Sequence, residues 1–403
     1  DAAFPDQPVA LERIDGHALV VNGEALRRAG LLGGAIPVVE GGEVVLDAGG
    51  VPTGVLVDNA CGLVSGIIPA QPESRRLEAL MDAQMNLLAH GIVGVTDAGL
   101  SPAEIERIDA LQQSGDLKLR VNALVSASDD NIAWLVDSGQ RIEDRLVVNG
   151  VKFYMDGALG SRGALLRQPY TDRTDWFGLA TQREQEFKRQ IETLHGHGLQ
   201  AATHCIGDSA TALVLDAYAD VLEGPNDLRW RIEHAQVVSE EDVARFGSYS
   251  VIPSVQPTHA TSDMYWAGER LGRNRIRRAY AYQELLGALG MTALGTDFPV
   301  EDIDPRKTFA AAVARMDADG YPVGGFQPEN ALTPEQALRG MTQWVALAQF
   351  QENTLGTIEI GKWADFTWMD RNWLEVDAQS VRATRIYGTC IAGEWCYLES
   401  ERP

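Results

Sequence analysis

The sequence predicts an α/β fold: a TIM-like (β/α)8 barrel from which the first strand is missing. Between residues 76 and 352, short β-branched runs alternate with longer segments of helical period. This alternation is typical of repeated βα units around a parallel sheet. Seven runs have the composition of strands, and they lie at 91–97, 117–126, 147–156, 199–204, 229–235, 249–256 and 291–297.

Polar residues end most of these predicted strands, and barrel enzymes carry their active sites at that end of the sheet. The residues are Asp97, Asp156, His204, His234, Gln256 and Asp297. A closed barrel needs eight strands, so seven strands predict a barrel that lacks one unit at its front. A shorter open sheet with helices on both faces is the competing fold, but polar residues clustered at strand ends favour the barrel.

The regions on either side of the repeat have patterns of their own. Residues 1–75 are rich in glycine, and their GGEVVLDAGGVPTG stretch resembles a hairpin flanked by short helices. We expect a cap over the barrel mouth there, with a separate small domain as the alternative. Residues 353–403 alternate apolar and polar positions, which predicts a small antiparallel β-sandwich portion.

The charge balance narrows the range of partners. Lys and Arg number 34 against 57 Asp and Glu, a net charge of −23, so nucleic acid and anionic membranes are poor partners. The four cysteines lack the paired spacing of a zinc knuckle and are expected to be reduced thiols.

No apolar stretch reaches the roughly 18 to 20 residues of a membrane span. We therefore expect a cytoplasmic protein, compatible with a homodimer, that acts on a small-molecule substrate. The chain begins at Asp1 with a stretch that resembles the interior of a domain. An upstream segment carrying an export signal is compatible with that beginning.

Three residues at predicted strand ends have side chains suited to a metal. His204 in ATHCIGD and His234 in RIEHAQ end neighbouring strands, and two adjacent imidazoles suit a borderline-soft ion such as zinc. Asp297 in LGTDFPVE ends the last strand, where a carboxylate can bind a metal and accept a proton from water. Each also has a structural interpretation: a buried histidine bonded to backbone, or a helix N-cap aspartate near Pro299. Together they point to one barrel mouth.

Lys152 lies inside the apolar strand of NGVKFYMDG, where an unpaired ammonium is costly to bury. A salt bridge to Asp156 would explain it, as would a Schiff-base lysine or a carbamate formed with carbon dioxide. The carbamate replaces the cation by an anion whose two oxygens can bridge two divalent ions, whereas an ammonium would repel them. These three explanations stay open at the level of the sequence.

Several ordered motifs carry a specific resemblance. The strings VKFYMDGALGSRGA, ATHCIGD, RIEHAQ, SVQPTHATSDM, LGTDFPVE and GKWADFTWMD resemble the amidohydrolase superfamily, in particular its amidohydrolase-3 branch, which includes N-substituted formamide deformylase. The resemblance implies a metal-dependent-hydrolase barrel with one or two divalent ions, most simply zinc. It also implies a carboxylated Lys152, His204 and His234 as ligands, and Asp297 as ligand and general base.

The chain departs from that family at one point. The family carries a His-x-His pair after its first strand, and the only such pair here is His195 and His197, at a predicted helix end before Gly198. Packing at the helix end, or a favourable interaction with the helix dipole, explains that pair better. The missing pair agrees with the missing strand, so we expect the remaining ligands to lie before Asp1 in a longer gene product.

Three further residues are candidates for substrate binding. His259 in QPTHATSD follows a strand, Arg162 lies in the Gly-rich loop after the Lys152 strand, and His17 in IDGHALVVN could reach down from the cap. Either His259 or Arg162 could stabilise a developing oxyanion. Each of the three would serve equally well as an ordinary surface-loop residue.

The expected reaction is hydrolysis of a C–N bond in an amide, formamide or cyclic amide through a metal-activated water. One alternative is a Schiff-base lyase or aldolase that uses Lys152, which leaves His204, His234 and Asp297 without a joint role. The other is a catalytically incomplete relative that keeps the barrel and binds a small molecule. The substrate itself depends on the shape of the cap and loops, and is not predicted.

Overall fold

An antiparallel sheet opens the chain, which the computed structural model describes over residues 1–400. The elements of this region are β1 (Ala10–Glu12), β2 (Ala18–Val21), α1 (Gly23–Arg28), β3 (Gly42–Leu46), β4 (Pro52–Asp58) and α2 (Gly62–Ser65). The four strands lie in the order β1–β2–β4–β3, and β3 and β4 form the expected hairpin. Leu19, Val21 and Leu56 pack with Leu26 of α1 in a small core separate from that of the barrel.

A parallel sheet of seven strands forms the centre of the molecule, and all seven predicted strands are present. The elements here are α3 (Glu73–Ala89), β5 (Gly94–Leu100), α4 (Pro102–Ser114), β6 (Arg120–Ser126), α5 (Asp129–Ser138), β7 (Arg141–Ile142), β8 (Leu146–Tyr154), α6 (Glu184–Gly196), β9 (Gln200–Cys205), α7 (Asp208–Leu222), β10 (Arg231–His234), α8 (Glu240–Ser248), β11 (Ile252–Val255), α9 (Pro257–Asp263), α10 (Ala267–Arg275), α11 (Tyr282–Leu289), β12 (Ala293–Leu294), α12 (Pro305–Ala314), α13 (Pro334–Met341) and α14 (Gln343–Ala348). The parallel strands pair in the order β5–β6–β8–β9–β10–β11–β12, and β7 adds antiparallel to β8.

This sheet curls into an open barrel, and its two edge strands are β5 and β12. Each βα unit adds the next strand on the same side, as in a TIM barrel. Thr96 of β5 and Leu294 of β12 line one cavity, so the curl brings the two edges to the same space. The Gln349 side chain, just after α14, donates a hydrogen bond of 2.7 Å to Thr96 Oγ1. The predicted barrel without its first strand is therefore confirmed.

Strand β8 shows how the sheet directs side chains to its two faces. Val151 and Phe153 point outward, where the Phe153 ring meets Phe187 of α6 edge-on at 5.3 Å. Lys152 and Tyr154 alternate with them and line the central cavity. The period-2 pattern of the strand thus places a lysine at the inner face of the barrel.

The C-terminal region forms a three-stranded antiparallel sheet of β13 (Phe366–Met369), β14 (Ile386–Ile391) and β15 (Glu394–Leu398). Residues 401–403, which were assigned to this region from the sequence, lie outside the described residues. A buried ion pair joins the sheet to the barrel, with Arg120 Nε 2.5 Å from Asp365 Oδ2.

Two global expectations can be compared with the structure. Within residues 1–400, no helix combines the length and the apolar character needed to cross a membrane. All four cysteines have free thiols, as expected from their spacing.

Candidate functional site

A cavity of about 1650 Å³ opens at the C-terminal ends of the parallel strands. Six of the seven residues predicted to form the site line this cavity, namely His17, Lys152, His204, His234, His259 and Asp297. They come from the N-terminal region, from three neighbouring strands and from the segments that follow β11 and β12.

His204 and His234 form the centre of this group, with ring centroids 4.5 Å apart. His234 Nδ1 lies 2.8 Å from Oε1 of Gln256, and because a carbonyl oxygen accepts, Nδ1 carries the proton and Nε2 keeps its lone pair. The buried Nε2 of His204 has no hydrogen-bond partner among residues 1–400. Burial lowers the pKa of His234 to about 3 and that of His204 well below its usual value. Both rings are therefore neutral, which is the form that binds metals.

Lys152 is buried beside these histidines, and its ammonium forms no ion pair with a carboxylate of residues 1–400. Its side chain is 5% exposed, and its ammonium lies 4.3 Å from the centre of the Tyr154 ring. No carboxylate of residues 1–400 comes within ion-pair distance of this ammonium. The proposed salt bridge to Asp156 does not form, which leaves the Schiff-base and carbamate explanations.

Asp156 is fully buried, and its carboxylate is used by the backbone. It accepts hydrogen bonds from the N–H groups of Leu165, Ile206 and Gly207 at 2.8 to 3.0 Å. Burial raises its pKa to about 7, against the effect of these three bonds. Its Oδ1 lies 3.5 Å from His204 Nε2, so Asp156 fixes the loop after β9 around that histidine.

Asp208, four positions after His204, forms its side-chain hydrogen bond away from that histidine. Its Oδ1 accepts the backbone N–H of Arg167 at 3.0 Å. It is the first residue of α7, and its side chain makes no hydrogen bond that caps the helix. The Asp208 side chain therefore links the start of α7 to the backbone of Arg167.

Asp297 follows β12 in the left-handed region, with a φ of 56°. Its side chain is 38% exposed to the cavity side, and burial of the remainder raises its pKa. The helix that follows, α12, is capped by Asp304 instead, so Asp297 is not a helix N-cap. His259 Nε2 lies 3.9 Å from Asp297 Oδ2, and burial lowers the pKa of His259 to about 4.

Arg162 is the one predicted site residue that does not line the cavity. Its guanidinium pairs with Asp172 of the same loop at 2.8 Å, which draws the side chain away from the barrel mouth. Asp172 also pairs with Arg270, and Arg270 does line the cavity. Arg162 therefore does not lie where the predicted substrate contact requires it. Its guanidinium is paired with an acidic residue ten positions later in the chain.

His17 reaches the site from the N-terminal region. Its ring centroid lies 5.1 Å from that of His204, and its Nδ1 lies 2.7 Å from Oδ1 of Asp58. Asp58 was not among the predicted site residues. Its signal was present, because Asp58 ends the apolar run PTGVLVD just as the barrel candidates end theirs.

The donors at this site suit a divalent metal only in part. The unpartnered Nε2 of His204 and the Gln256-oriented ring of His234 fit two nitrogen ligands. Within residues 1–400, however, no three His, Cys, Asp or Glu side chains are close enough to hold one ion as a ready-made site. The chain thus supplies part of a coordination sphere.

Comparison with known proteins agrees with this geometry. The amidohydrolase family model matches residues 1–397. The chain is 31% identical over 98% of its length to Protein LONG AFTER FAR-RED 3 of Arabidopsis thaliana, and covers 70% of that protein. It is 26% identical to the N-substituted formamide deformylase of Arthrobacter pascens, with 98% of this chain and 74% of the relative covered.

A solved structure shows the same architecture. It belongs to an uncharacterised metal-dependent hydrolase from Pyrococcus horikoshii, with a TM-score of 0.76, 28% identity, and coverage of 93% of this chain and 73% of that one. These likenesses support a hydrolase. The chain belongs to the amidohydrolase family.

Proposed function

We propose that this chain is a metal-dependent hydrolase that cleaves a C–N bond in an amide, formamide or cyclic amide. One observation carries the proposal above the others. Two neutral, buried imidazoles, His204 and His234, stand side by side at a cavity formed by strand ends. Such a pair has little structural purpose unless a ligand occupies the free nitrogens, since an unpaired buried nitrogen costs free energy.

Lys152, His204, His234 and Asp297 are the residues that would hold one or two divalent ions, most simply zinc. For Lys152 we propose a carbamate, because this modification removes the buried ammonium and creates two oxygen donors. An ammonium 4.3 Å above the Tyr154 ring forms no ion pair with any carboxylate among residues 1–400. Carboxylation thus accounts for the lysine and supplies donors that the two histidines lack.

A bound divalent ion would polarise the substrate carbonyl and lower the pKa of a water molecule. Asp297 then accepts the proton of the attacking water and delivers it to the leaving nitrogen. Its partly exposed carboxylate at the cavity mouth suits this exchange. For His259 we propose a contact with the carbonyl oxygen of the substrate, which the lack of a hydrogen-bond partner for its Nε2 among residues 1–400 supports.

The first test combines metal analysis with a carboxylate variant. We expect the purified protein to contain zinc and to hydrolyse N-substituted formamides, the class named for the Arthrobacter pascens relative. Asp297→Asn should lower hydrolysis by about 10²- to 10⁴-fold, the usual contribution of a general base. Asp302→Asn, a nearby exposed carboxylate paired with Lys307, serves as the control and should stay active. Full activity in Asp297→Asn would reject its role as the base.

The second test concerns Lys152. Protein incubated with ¹³C-bicarbonate should show a carbamate carbon by NMR, and Lys152→Met should lose both that signal and bound zinc. Trapping of a substrate on Lys152 by borohydride, in protein free of metal, would instead support the Schiff-base alternative.

A further inference from the structure

One histidine of the N-terminal region, His17, lines the cavity and forms a hydrogen bond with a buried carboxylate. His17 lies between the main cavity and a second one of about 680 Å³, and lines both. Its Nδ1 is 2.7 Å from Oδ1 of Asp58. No residue among 1–400 forms a hydrogen bond with the other ring nitrogen, Nε2. One nitrogen is therefore committed to the protein and the other is free for a ligand.

The carboxylate of Asp58 is buried and lies close to the backbone of Gly157 and Gly163. Its side chain is 1% exposed, and its Oδ2 is buried without a hydrogen-bond partner. A Cβ atom on Gly157 or on Gly163 would come within 2.3 Å of its oxygens, so both glycines are needed for this close approach. A carboxylate enclosed in this way depends on the imidazole for its main polar contact, which makes the His17 interaction strong.

This contact decides which ring nitrogen carries the proton. A carboxylate oxygen only accepts hydrogen bonds, so Nδ1 of His17 must donate. In the neutral ring, Nε2 then offers a lone pair and no hydrogen. The side of His17 that is free for a ligand is thus a hydrogen-bond acceptor, 5.1 Å between ring centroids from His204.

We propose that Asp58 is a positioning residue that fixes His17 as an acceptor for the N–H group of the substrate. The proposal rests on the proposed function for the reaction, and it names the substrate class: primary or secondary amides, which keep an N–H. An N,N-disubstituted amide or an ester offers no hydrogen to Nε2. Such compounds leave a polar atom of the site unpaired, and a site built for a hydrogen bond rejects analogues that lack it.

The protonation of His17 can be observed without any reaction. In metal-free protein labelled with ¹⁵N-histidine, NMR should show that the neutral ring of His17 carries its proton on Nδ1. Asp58→Ala should shift the proton to Nε2, whereas Asp58→Asn, whose carbonyl oxygen can accept, should retain it at Nδ1. His90 and His195, which lie outside the cavity lining, are internal controls. A neutral His17 ring that carries its proton on Nε2 in the unmodified chain would overturn the proposal.

The substrate class is tested with a matched pair, N-benzylformamide and N-benzyl-N-methylformamide. We expect KM for the secondary formamide to rise about tenfold in Asp58→Ala, the loss of one hydrogen bond, with a smaller change in kcat. KM for the N-methyl compound should not change, and Asp58→Asn should restore selectivity. An unchanged KM ratio in Asp58→Ala would overturn the proposal.

The proposed function could fail independently of this inference. If neither formamide is hydrolysed, their dissociation constants replace KM in the same comparison, and equal affinities would overturn the inference. Zinc content supplies the last outcome. If Asp58→Ala loses zinc while Asp58→Asn keeps it, His17 is a metal ligand and not a substrate acceptor.

Discussion

Several side chains at the cavity are each held by a second side chain or by backbone groups. Gln256 holds His234, Asp58 holds His17, and Asp156 holds the loop beside His204. Such partners fix the orientation and tautomer of an imidazole, and they influence metal binding nearly as much as the ligands. Substituting these partners therefore tests their effect on the site while the proposed ligands stay in place.

Gln256→Leu removes the acceptor of the His234 Nδ1–H while roughly conserving volume. We expect zinc affinity to fall about 10- to 100-fold, as for other partners of ligating histidines. The free energy of unfolding of the metal-free variant, measured in urea, should be about 1–3 kcal/mol lower than that of the parent, because a buried donor is left unpaired. Gln113→Leu, on the exposed face of α4, is the control for competitive zinc titration and for unfolding. Equal zinc affinity in both variants would contradict the role of Gln256.

The buried carboxyl group of Asp263 should make the stability of the folded protein depend on pH. Its pKa is raised to about 7, mainly by burial; the Tyr280 hydroxyl, which donates to it at 2.8 Å, opposes the shift, and nearby Glu301 adds to it. In the unfolded chain an aspartate has a pKa of about 4. Between about pH 4 and 7 the folded protein keeps a proton that the unfolded chain has released, so this group makes stability fall as the pH rises.

Asp263→Asn should remove this contribution. We expect the variant to unfold at higher urea than the parent at pH 8 and at nearly the same urea at pH 4.5, since a neutral amide resembles the protonated acid. A difference in unfolding free energy that is constant over this range would show that Asp263 is ionised throughout.

At the scale of elements, strand ends both place the site and attach the outer units. His234 and Asp297 adopt φ values of 70° and 56° just where their strands finish, and this backbone turn directs both side chains to the mouth. At the opposite end of the barrel strands, Arg120 at the start of β6 joins the C-terminal sheet through Asp365.

Asp365→Ala should destabilise the protein by about 3–5 kcal/mol, because it leaves the guanidinium of Arg120 buried without its closest partner. Both side chains of the pair are nearly inaccessible, at 4% and 6% exposure. The control is Glu394→Gln, which breaks the exposed Lys118–Glu394 pair between the same two units. That change should cost at most about 1 kcal/mol in urea unfolding. Similar losses of unfolding free energy in both variants would contradict a larger contribution from the buried pair.

For the whole molecule, the open edge between β5 and β12 is the main structural feature. Edge strands leave one row of backbone groups outside the sheet, so their amides exchange through smaller openings than those of central strands. We expect hydrogen–deuterium exchange to be faster in 94–100 and 291–297 than in 146–154 and 200–205. Equal protection across all four segments would show that the two edges are covered and contradict this expectation.

Much of the fold could be predicted because its signals are local. β-Branched runs and helical periods alternate along the chain, and the order of βα units in the sequence is their order in the sheet. The same rule located His204, His234 and Asp297, since a residue that ends a parallel strand must lie at the mouth. Lys152 was recognised because a charge inside an apolar strand requires an explanation.

The pairings within the site were decided by the tertiary structure alone. Asp58 and His17 are 41 positions apart, and only the fold of the N-terminal sheet brings their side chains together beside His204. The same holds for Lys152, which lacks the Asp156 salt bridge because backbone N–H groups from two other segments occupy that carboxylate. The chain pattern thus determines which residues reach the barrel mouth. The contacts among these residues depend on the curvature of the sheet and on the conformation of the loops. No local sequence pattern encodes either one.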